Sequence, residues 1–496
     1  MVFALTNFRQ LTINAILVFF IVLIIFNYSS VKAEPKRTDL IQLKLNEKQF
    51  HDLRAMKIEF ATGLLDSIAL AVVSPAELAL LKERDYHFKI IMHSEEEVEL
   101  FKRALYGESM ILNPIYHTYD EVLSELKQLV KQYPQLILTK KMGQTTQEKR
   151  DIWAVKISDN VTQEEDEPAI LFSGAIHADE LAGVEICMTL IQHLLQNYQR
   201  DQKVTSWINQ NEIWFIPMIN VDGHYVVTHN IDPRWRKNTR DTNGNGVLYE
   251  KDEGIDLNRN FDFNWAHGGS PDSSNTRYRG ELPFSESECV AVRELALAQK
   301  FLIAVTYHSQ GEVVFYPWIW RGRPAPDDKL LTAMANGLAS TIHTLKGDTC
   351  YAAHYGAGTV GQTYPWLYGH VGTFDFLVET GKGRHIFPEK ELKQIIGSNL
   401  PGAFYMLDQM NGPGLTGHVY AAETSEPLRA VVWFPEIDTE DIARRTTDSK
   451  YGRYFRILAP GQYRVIFMKE GYQPQLFKHV EVGSDGWTKL DVWLKK

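Results

Sequence analysis

The chain has 496 residues, 44% of them hydrophobic and 23% charged, with a formal net charge of -10. This length is too great for one hydrophobic core and predicts roughly two to four domains. The composition is that of a folded protein and excludes bulk disorder, while an acidic balance without any dense basic run argues against a nucleic-acid partner.

Near the N-terminus a single Arg9 precedes the apolar run AILVFFIVLIIF. The run is short for a membrane span and suits a signal-peptide core, with Val31, Lys32 and Ala33 forming a cleavage site before Glu34. Residues 1–33 are therefore read as a signal peptide, which predicts a secreted, periplasmic or extracellular protein. Membrane association arises only if the apolar segment stays uncleaved. Export permits disulfides, yet the cysteines are three, Cys187, Cys289 and Cys350, so at most one bridge can form and burial as small apolar side chains is the simpler reading.

Residues 34–110 read as a small α+β unit with an acidic linker at its end. IQLKL, IALAVV and FKIIM alternate as strands, and NEKQFHDLRAM and SPAELALLKERD read as helices, the second capped by Ser74 with Pro75 at its first position. Over residues 111–411 amphipathic helices alternate with the apolar strands AILFSGAI, EIWFIPMIN, FLIAVTYHS and TFDFLVET. This predicts an α/β fold, a mixed, mostly parallel sheet sandwiched by helices, whose strand ends carry the chemistry. Residues 412–496 change to short alternating strands with Gly, Pro and Asp turns, the pattern of a β-sandwich.

In SGAIHADELAGVE, His177 and Glu180 stand three apart and can reach one cation, but a catalytic zinc needs a third protein ligand. His308, at the end of VTYHS, is the candidate. Glu379 ends the strand TFDFLVE, where a carboxylate among Phe374, Phe376 and Leu377 is costly unless it is paired or functional. Between them lie Arg234, Arg236, Arg240 and Arg259, whose planar forks suit carboxylates and oxyanions, although loop arginines are commonly solvated.

The order HADE, WRKNTR, DLNRN, YHSQ, VETG resembles the zinc carboxypeptidases of the M14 type over residues 113 to 410, the pancreatic A/B group most closely. The resemblance implies the zinc carboxypeptidase fold, one zinc held by His177, Glu180 and His308, and Glu379 as general base. It implies further that Arg236 stabilises the oxyanion, that Asn258 and Arg259 grip the terminal carboxylate of a peptide or protein substrate, and that Asp256 orients the first zinc histidine. A tyrosine that closes over the substrate falls on Ala357 by ungapped counting and on Tyr355 if the loop carries two extra residues; Tyr355 is preferred. Asp179 departs from the family, whose pancreatic members have Arg there. Tyr364 falls near the position that sets side-chain preference, and no acid stands at it.

The insertion DTNGNGVLYEKD places Asp241, Asn243, Asn245 and Asp252 at the first, third, fifth and twelfth positions of an EF-hand-like loop, with Gly246 at the sixth. This predicts a calcium ion, against the alternative of a metal-free Gly/Asn turn. The N-terminal unit resembles a pro-domain, and the C-terminal sandwich the transthyretin-like domain of the N/E group. The sequence leaves two alternatives to a peptide carboxypeptidase: a cell-wall stem-peptide amidase of the same fold, and a non-catalytic peptide-binding or adhesion protein.

Overall fold

The structure is a computed structural model that describes residues 39–496 apart from 57, 61–66, 94–97, 99–115, 251 and 358–359. The signal peptide read at 1–33, and most of the acidic linker, lie outside the described residues. The chain divides into two compact units, one running to Leu112 and taking in His229–Ile231, the other comprising Asn113–Thr228 and Asp232–Lys496.

The first unit orders β1 (Asp39–Lys44), α1 (Glu47–Ala55), β2 (Glu59–Phe60), β3 (Ile68–Val73), α2 (Pro75–Glu83) and β4 (Phe88–Met92). Its strands pair antiparallel in the order β2-β3-β1-β4. Strand alternation puts Ile41 and Leu43 on one face of β1, where they join Phe50, Leu53, Ala69, Ala71 and Leu81 in one core. The expected cap is present: Ser74 Oγ accepts from the Glu77 amide at 3.3 Å while Glu77 Oε2 accepts from the Ser74 amide at 2.7 Å.

The second unit begins with α3 (Tyr119–Gln132), β5 (Ile137–Gln144), β6 (Asp151–Ile157), β7 (Ala169–Ser173), α4 (Ala182–Asn197), α5 (Gln202–Gln210), β8 (Glu212–Ile216) and α6 (Val221–Thr228). It continues with α7 (Ser287–Gln299), β9 (Ile303–His308), β10 (Val313–Trp320), β11 (Arg323–Pro324), α8 (Asp328–Thr341), β12 (Ala352–Ala357), β13 (Phe374–Glu379) and α9 (Glu389–Gln409). These strands form one sheet in the order β11-β10-β13-β9-β7-β8-β6-β5, with β12 also on β10. The central β13, β9, β7 and β8 run parallel, and antiparallel pairs flank them. Every residue of β7, β8 and β9 is buried, which is why these segments read as unbroken apolar runs rather than alternating ones.

The strand-rich C-terminal region follows in the same unit. One sheet orders β16-β14-β19, with β20 also on β14, and a second orders β15-β17-β18; the ranges are β14 (Gly414–Ala421), β15 (Val431–Trp433), β16 (Arg453–Ile457), β17 (Gly461–Met468), β18 (Gln475–Val482), β19 (Trp487–Lys489) and β20 (Val492–Leu494). Leu415, Val419, Val432, Phe434, Val465, Phe467 and Val492 share its core.

A buried ionic knot joins this region to the larger sheet. Arg456 Nη2 lies 2.9 and 3.0 Å from the two Asp327 carboxylate oxygens and 3.1 Å from Asp438 Oδ1. Arg445 Nη2 reaches Asp327 Oδ2 at 3.2 Å, and Tyr368 Oη donates to the same oxygen at 2.7 Å. The cysteines are unbridged: Cys187 and Cys289 are buried, as the apolar reading expects, whereas Cys350 is partly exposed.

Candidate active site

Chain turns at the ends of the parallel strands bring the functional side chains together. After Ser173 closes β7, a Cβ on Gly174 would lie 2.6 Å from the carbonyl carbon of Gly183, so glycine is what lets this turn rest on the start of α4. Gly183 is itself pressed on Tyr307, whose Cβ is 3.1 Å from the place a Gly183 Cβ would take, and this sets the helix start against β9. Asn220 fixes the turn from below, with its amide donating to Ala175 O at 2.9 Å and Nδ2 to Ile176 O at 3.3 Å and Lys237 O at 3.0 Å. The Ala178 amide adds a bond to Arg236 O at 3.0 Å.

His177, Glu180 and His308 meet, all buried. His177 Nδ1 is 2.7 Å from Glu180 Oε1, His308 Nδ1 is 2.7 Å from Glu180 Oε2, and the two Nδ1 atoms are 3.1 Å apart. Two imidazole nitrogens facing each other across a carboxylate make a poor hydrogen-bond arrangement and a good donor set for a dication, and nitrogen with carboxylate oxygen is the chemistry zinc takes. The ligand triple expected from the sequence is thus brought together and fits zinc. Despite burial, the two imidazoles hold the Glu180 carboxyl well below the usual range.

On the far side of His177, Nε2 lies 3.3 Å from Asp256 Oδ1. Asp256 also takes Arg236 through Nε at 3.2 Å and Nη2 at 3.0 Å, and accepts from the Asn258 amide at 3.0 Å. Its burial raises the carboxyl, but Arg236, Arg259 and His177 outweigh that and hold it well below the usual range. Arg236 Nη1 is 3.5 Å from Glu180 Oε1. Asn258 Oδ1 accepts from the Thr363 amide at 3.0 Å and its Oγ1 at 2.8 Å, and Arg259 Nη1 donates to Asn258 O at 2.6 Å.

Glu379 ends β13 with its Oε2 buried and without a hydrogen-bond partner among the described residues. Burial, with Glu180 nearby, pushes its carboxyl up to about 8 against the pull of His177, Arg236 and Arg259. A cavity of about 440 Å³ joins the metal-fit triple, Arg236, Asn258, Arg259 and Glu379 with Tyr355, Tyr364, Gln362, Phe315, Leu377 and His385. Tyr355 is 45% exposed and lines this space. Arg240 is turned away onto Glu286 Oε1 at 2.8 Å, and Arg234 is exposed.

The calcium-type loop is self-bonded. The Asp241 carboxylate accepts from the Gly244 amide at 2.6 Å and the Gly246 amide at 2.8 Å, while Nδ2 of Asn243 and of Asn245 donate to Glu250 Oε2 at 3.0 and 2.6 Å. Asp252 is left-handed at φ 71°, and its carbonyl takes Lys237 Nζ at 2.5 Å. The clusters of histidine and carboxylate donors among the described residues do not include this loop. Sequence reasoning missed His385, Asn220 and Thr363, which lie outside every motif and reach the site only through the fold.

The sequence profile of the family described as zinc carboxypeptidase, peptidase M14, matches residues 122–402, more than half of the chain. The chain belongs to the zinc carboxypeptidase family. It is a metallocarboxypeptidase, a hydrolase of a family that uses zinc. Human mast cell carboxypeptidase A is 26% identical over 380 residues, 73% of this chain and 87% of that protein. Among solved structures, thrombin activatable fibrinolysis inhibitor matches with a TM-score of 0.54 at 20% identity, covering 76% of this chain and 99% of that one. Carboxypeptidase A from Helicoverpa armigera matches with a TM-score of 0.53 at 18% identity, covering 77% and 98%. Both share the zinc carboxypeptidase fold expected from the sequence: a mixed sheet between helices, here with added C-terminal strands.

Proposed function

We propose that the protein is a secreted zinc carboxypeptidase that hydrolyses C-terminal residues from peptides or proteins. The observation that carries this reading is the convergence of His177, Glu180 and His308 with Glu379, Arg236, Asn258 and Arg259 on one cavity. Zinc held by the three donors would supply Lewis-acid chemistry, polarising the scissile carbonyl and acidifying water. Glu379 takes the proton of the attacking water and returns it to the leaving amine. Arg236, steadied by Asp256, stabilises negative charge on the carbonyl oxygen, and Asp256 also orients His177. Arg259 and Asn258 bind the free terminal carboxylate, which restricts cleavage to chain ends. Tyr355 covers the bound terminus.

The acids lining the cavity are Glu180 and Glu379, and the remaining lining includes Phe315, Tyr364 and Leu377. This favours a neutral, apolar terminal side chain over Lys or Arg. In the same reading residues 1–33 direct export, 34–110 act as a pro-domain-like unit, and 412–496 form a transthyretin-like packing module. Among the described residues no helix is long and apolar enough to cross a membrane. Calcium at Asp241, Asn243, Asn245 and Asp252 rests on loop spacing alone; a melting temperature of the Asp241→Ala variant that responds to calcium as the parent does would contradict it.

The test is metal analysis of the purified chain with peptide and stem-peptide substrates side by side. About one tightly bound zinc per chain, activity lost on chelation and regained with zinc, and turnover of ordinary peptides are expected. Full activity without metal, or turnover of stem peptides alone, would contradict the reading.

A further inference from the structure

Beside the metal-fit triple stands a second group of donors, Asp179, Glu180 and His385, whose ligand atoms lie within 4.8 Å of one another. Asp179 is 8% exposed, yet its Oδ1 has no hydrogen-bond partner among the described residues. His385 Nδ1 is 3.3 Å from Asp179 Oδ2 and 4.0 Å from Glu180 Oε1, and it too lacks a hydrogen-bond partner among the described residues. Asp179 thus keeps one buried oxygen without a partner, while its other oxygen and the His385 nitrogen face each other at 3.3 Å without a hydrogen bond, an arrangement that a cation bound to this carboxylate and imidazole would satisfy. Four-coordinate zinc with ligand bonds of about 2.0–2.1 Å sets its donors roughly 3.3 Å apart. The Asp179 to His385 separation meets that value, and the Glu180 separation needs only a small closing movement of a half-exposed imidazole.

We propose that Asp179, Glu180 and His385 form a second site for a divalent transition-metal ion, zinc first, with Glu180 bridging it to the catalytic ion. The inference rests on the catalytic-zinc reading because Glu180 is shared. Charge ranks the two sites. Asp179, Glu180, Asp256 and Glu379 place four carboxylates around two guanidiniums, Arg236 and Arg259, so one dication already balances the cluster. A second ion adds net positive charge beside Arg236, whose Nη1 is 3.5 Å from Glu180 Oε1, and so binds more weakly than the first. It borders the cleft through His385, which lines the cavity.

Full-length protein is dialysed against a series of buffered free-zinc concentrations and its bound zinc is counted by atomic absorption, alongside Asp179→Asn and His385→Gln. The parent is expected to hold one zinc tightly and a second at higher free zinc. Each variant should keep the first and weaken the second tenfold or more. Saturation of the parent at one zinc needs no variant and overturns the second site alone. A second zinc that both variants bind as the parent does places the ion elsewhere and overturns it as well. A chain that binds no zinc overturns this inference together with the catalytic reading.

Discussion

Glu379 lies directly opposite His308 in the register of two adjacent parallel strands, β13 and β9. Side chains so paired leave the sheet on the same face, so a proposed zinc ligand and the proposed general base emerge together at one strand end. The neighbouring pair, Ser173 opposite Thr306, ends β7 at nearly the same level, and the short turn through Gly174 carries His177 onto that edge. The sheet thus sets the geometry, and loops complete it where open α/β sheets place their sites.

This relationship makes Glu379 the sharpest point for mutation. Glu379→Gln keeps the shape but cannot accept a proton, and is expected to lower kcat about 10²–10⁴-fold while leaving zinc content unchanged. Burial, with Glu180 nearby, pushes the carboxyl up to about 8, and a dication on the three donors would lower it. The base must be ionised, so kcat/KM should rise with pH along an acid limb whose midpoint lies below that value. A pH-rate profile of the parent checks this, and an activity that falls as pH rises through that region would contradict it.

The Arg456 knot predicts a stability effect remote from the chemistry. Arg456→Leu would leave Asp327 and Asp438 as buried carboxylates short of a counter-charge. Breaking a buried pair in this way costs about 3–5 kcal/mol, which a denaturant titration of parent and variant would register. An effect under about 1 kcal/mol would class the knot with surface ion pairs.

His117 predicts a pH-dependent contribution. Its Nε2 is 3.2 Å from Glu125 Oε2 and its Nδ1 is 2.7 Å from Glu185 Oε2. Glu125 and then Glu185 raise the imidazole to about 10 against partial burial, from an ordinary 6.5. A base raised on folding stabilises fully below its unfolded value and loses that contribution as pH climbs to the folded one. His117→Gln should therefore lower the melting temperature most near pH 6 and progressively less toward pH 10. A deficit independent of pH would show that His117 acts by packing alone.

Much of the site is legible in the sequence because its residues sit at the ends of long apolar strands. His308 and Glu379 each end such a run with a group that burial penalises and His177 follows one closely, whereas Glu180 and DLNRN gain their meaning from the resemblance to the zinc carboxypeptidases. What escaped is non-local. His385 gains meaning only when the fold carries it to Asp179, and Asn220 is an ordinary Asn until its amide is seen holding the loops of His177 and Arg236. The Arg456 to Asp327 pair spans 129 residues, and neither partner stands out in the sequence: Arg456 sits within the short strand β16 and Asp327 just before α8. The calcium-type loop shows the converse: its spacing is visible in the sequence, while its side chains are engaged with one another and with the loop backbone.

Cleavage at a free C-terminus can be read from a peptide library varied at the last position, each member paired with its C-terminally amidated twin. Release of the terminal residue is expected from the free acids, fastest for apolar side chains, and none from the amides, which Arg259 and Asn258 cannot grip. Equal hydrolysis of acids and amides, or cleavage at internal bonds, would contradict it.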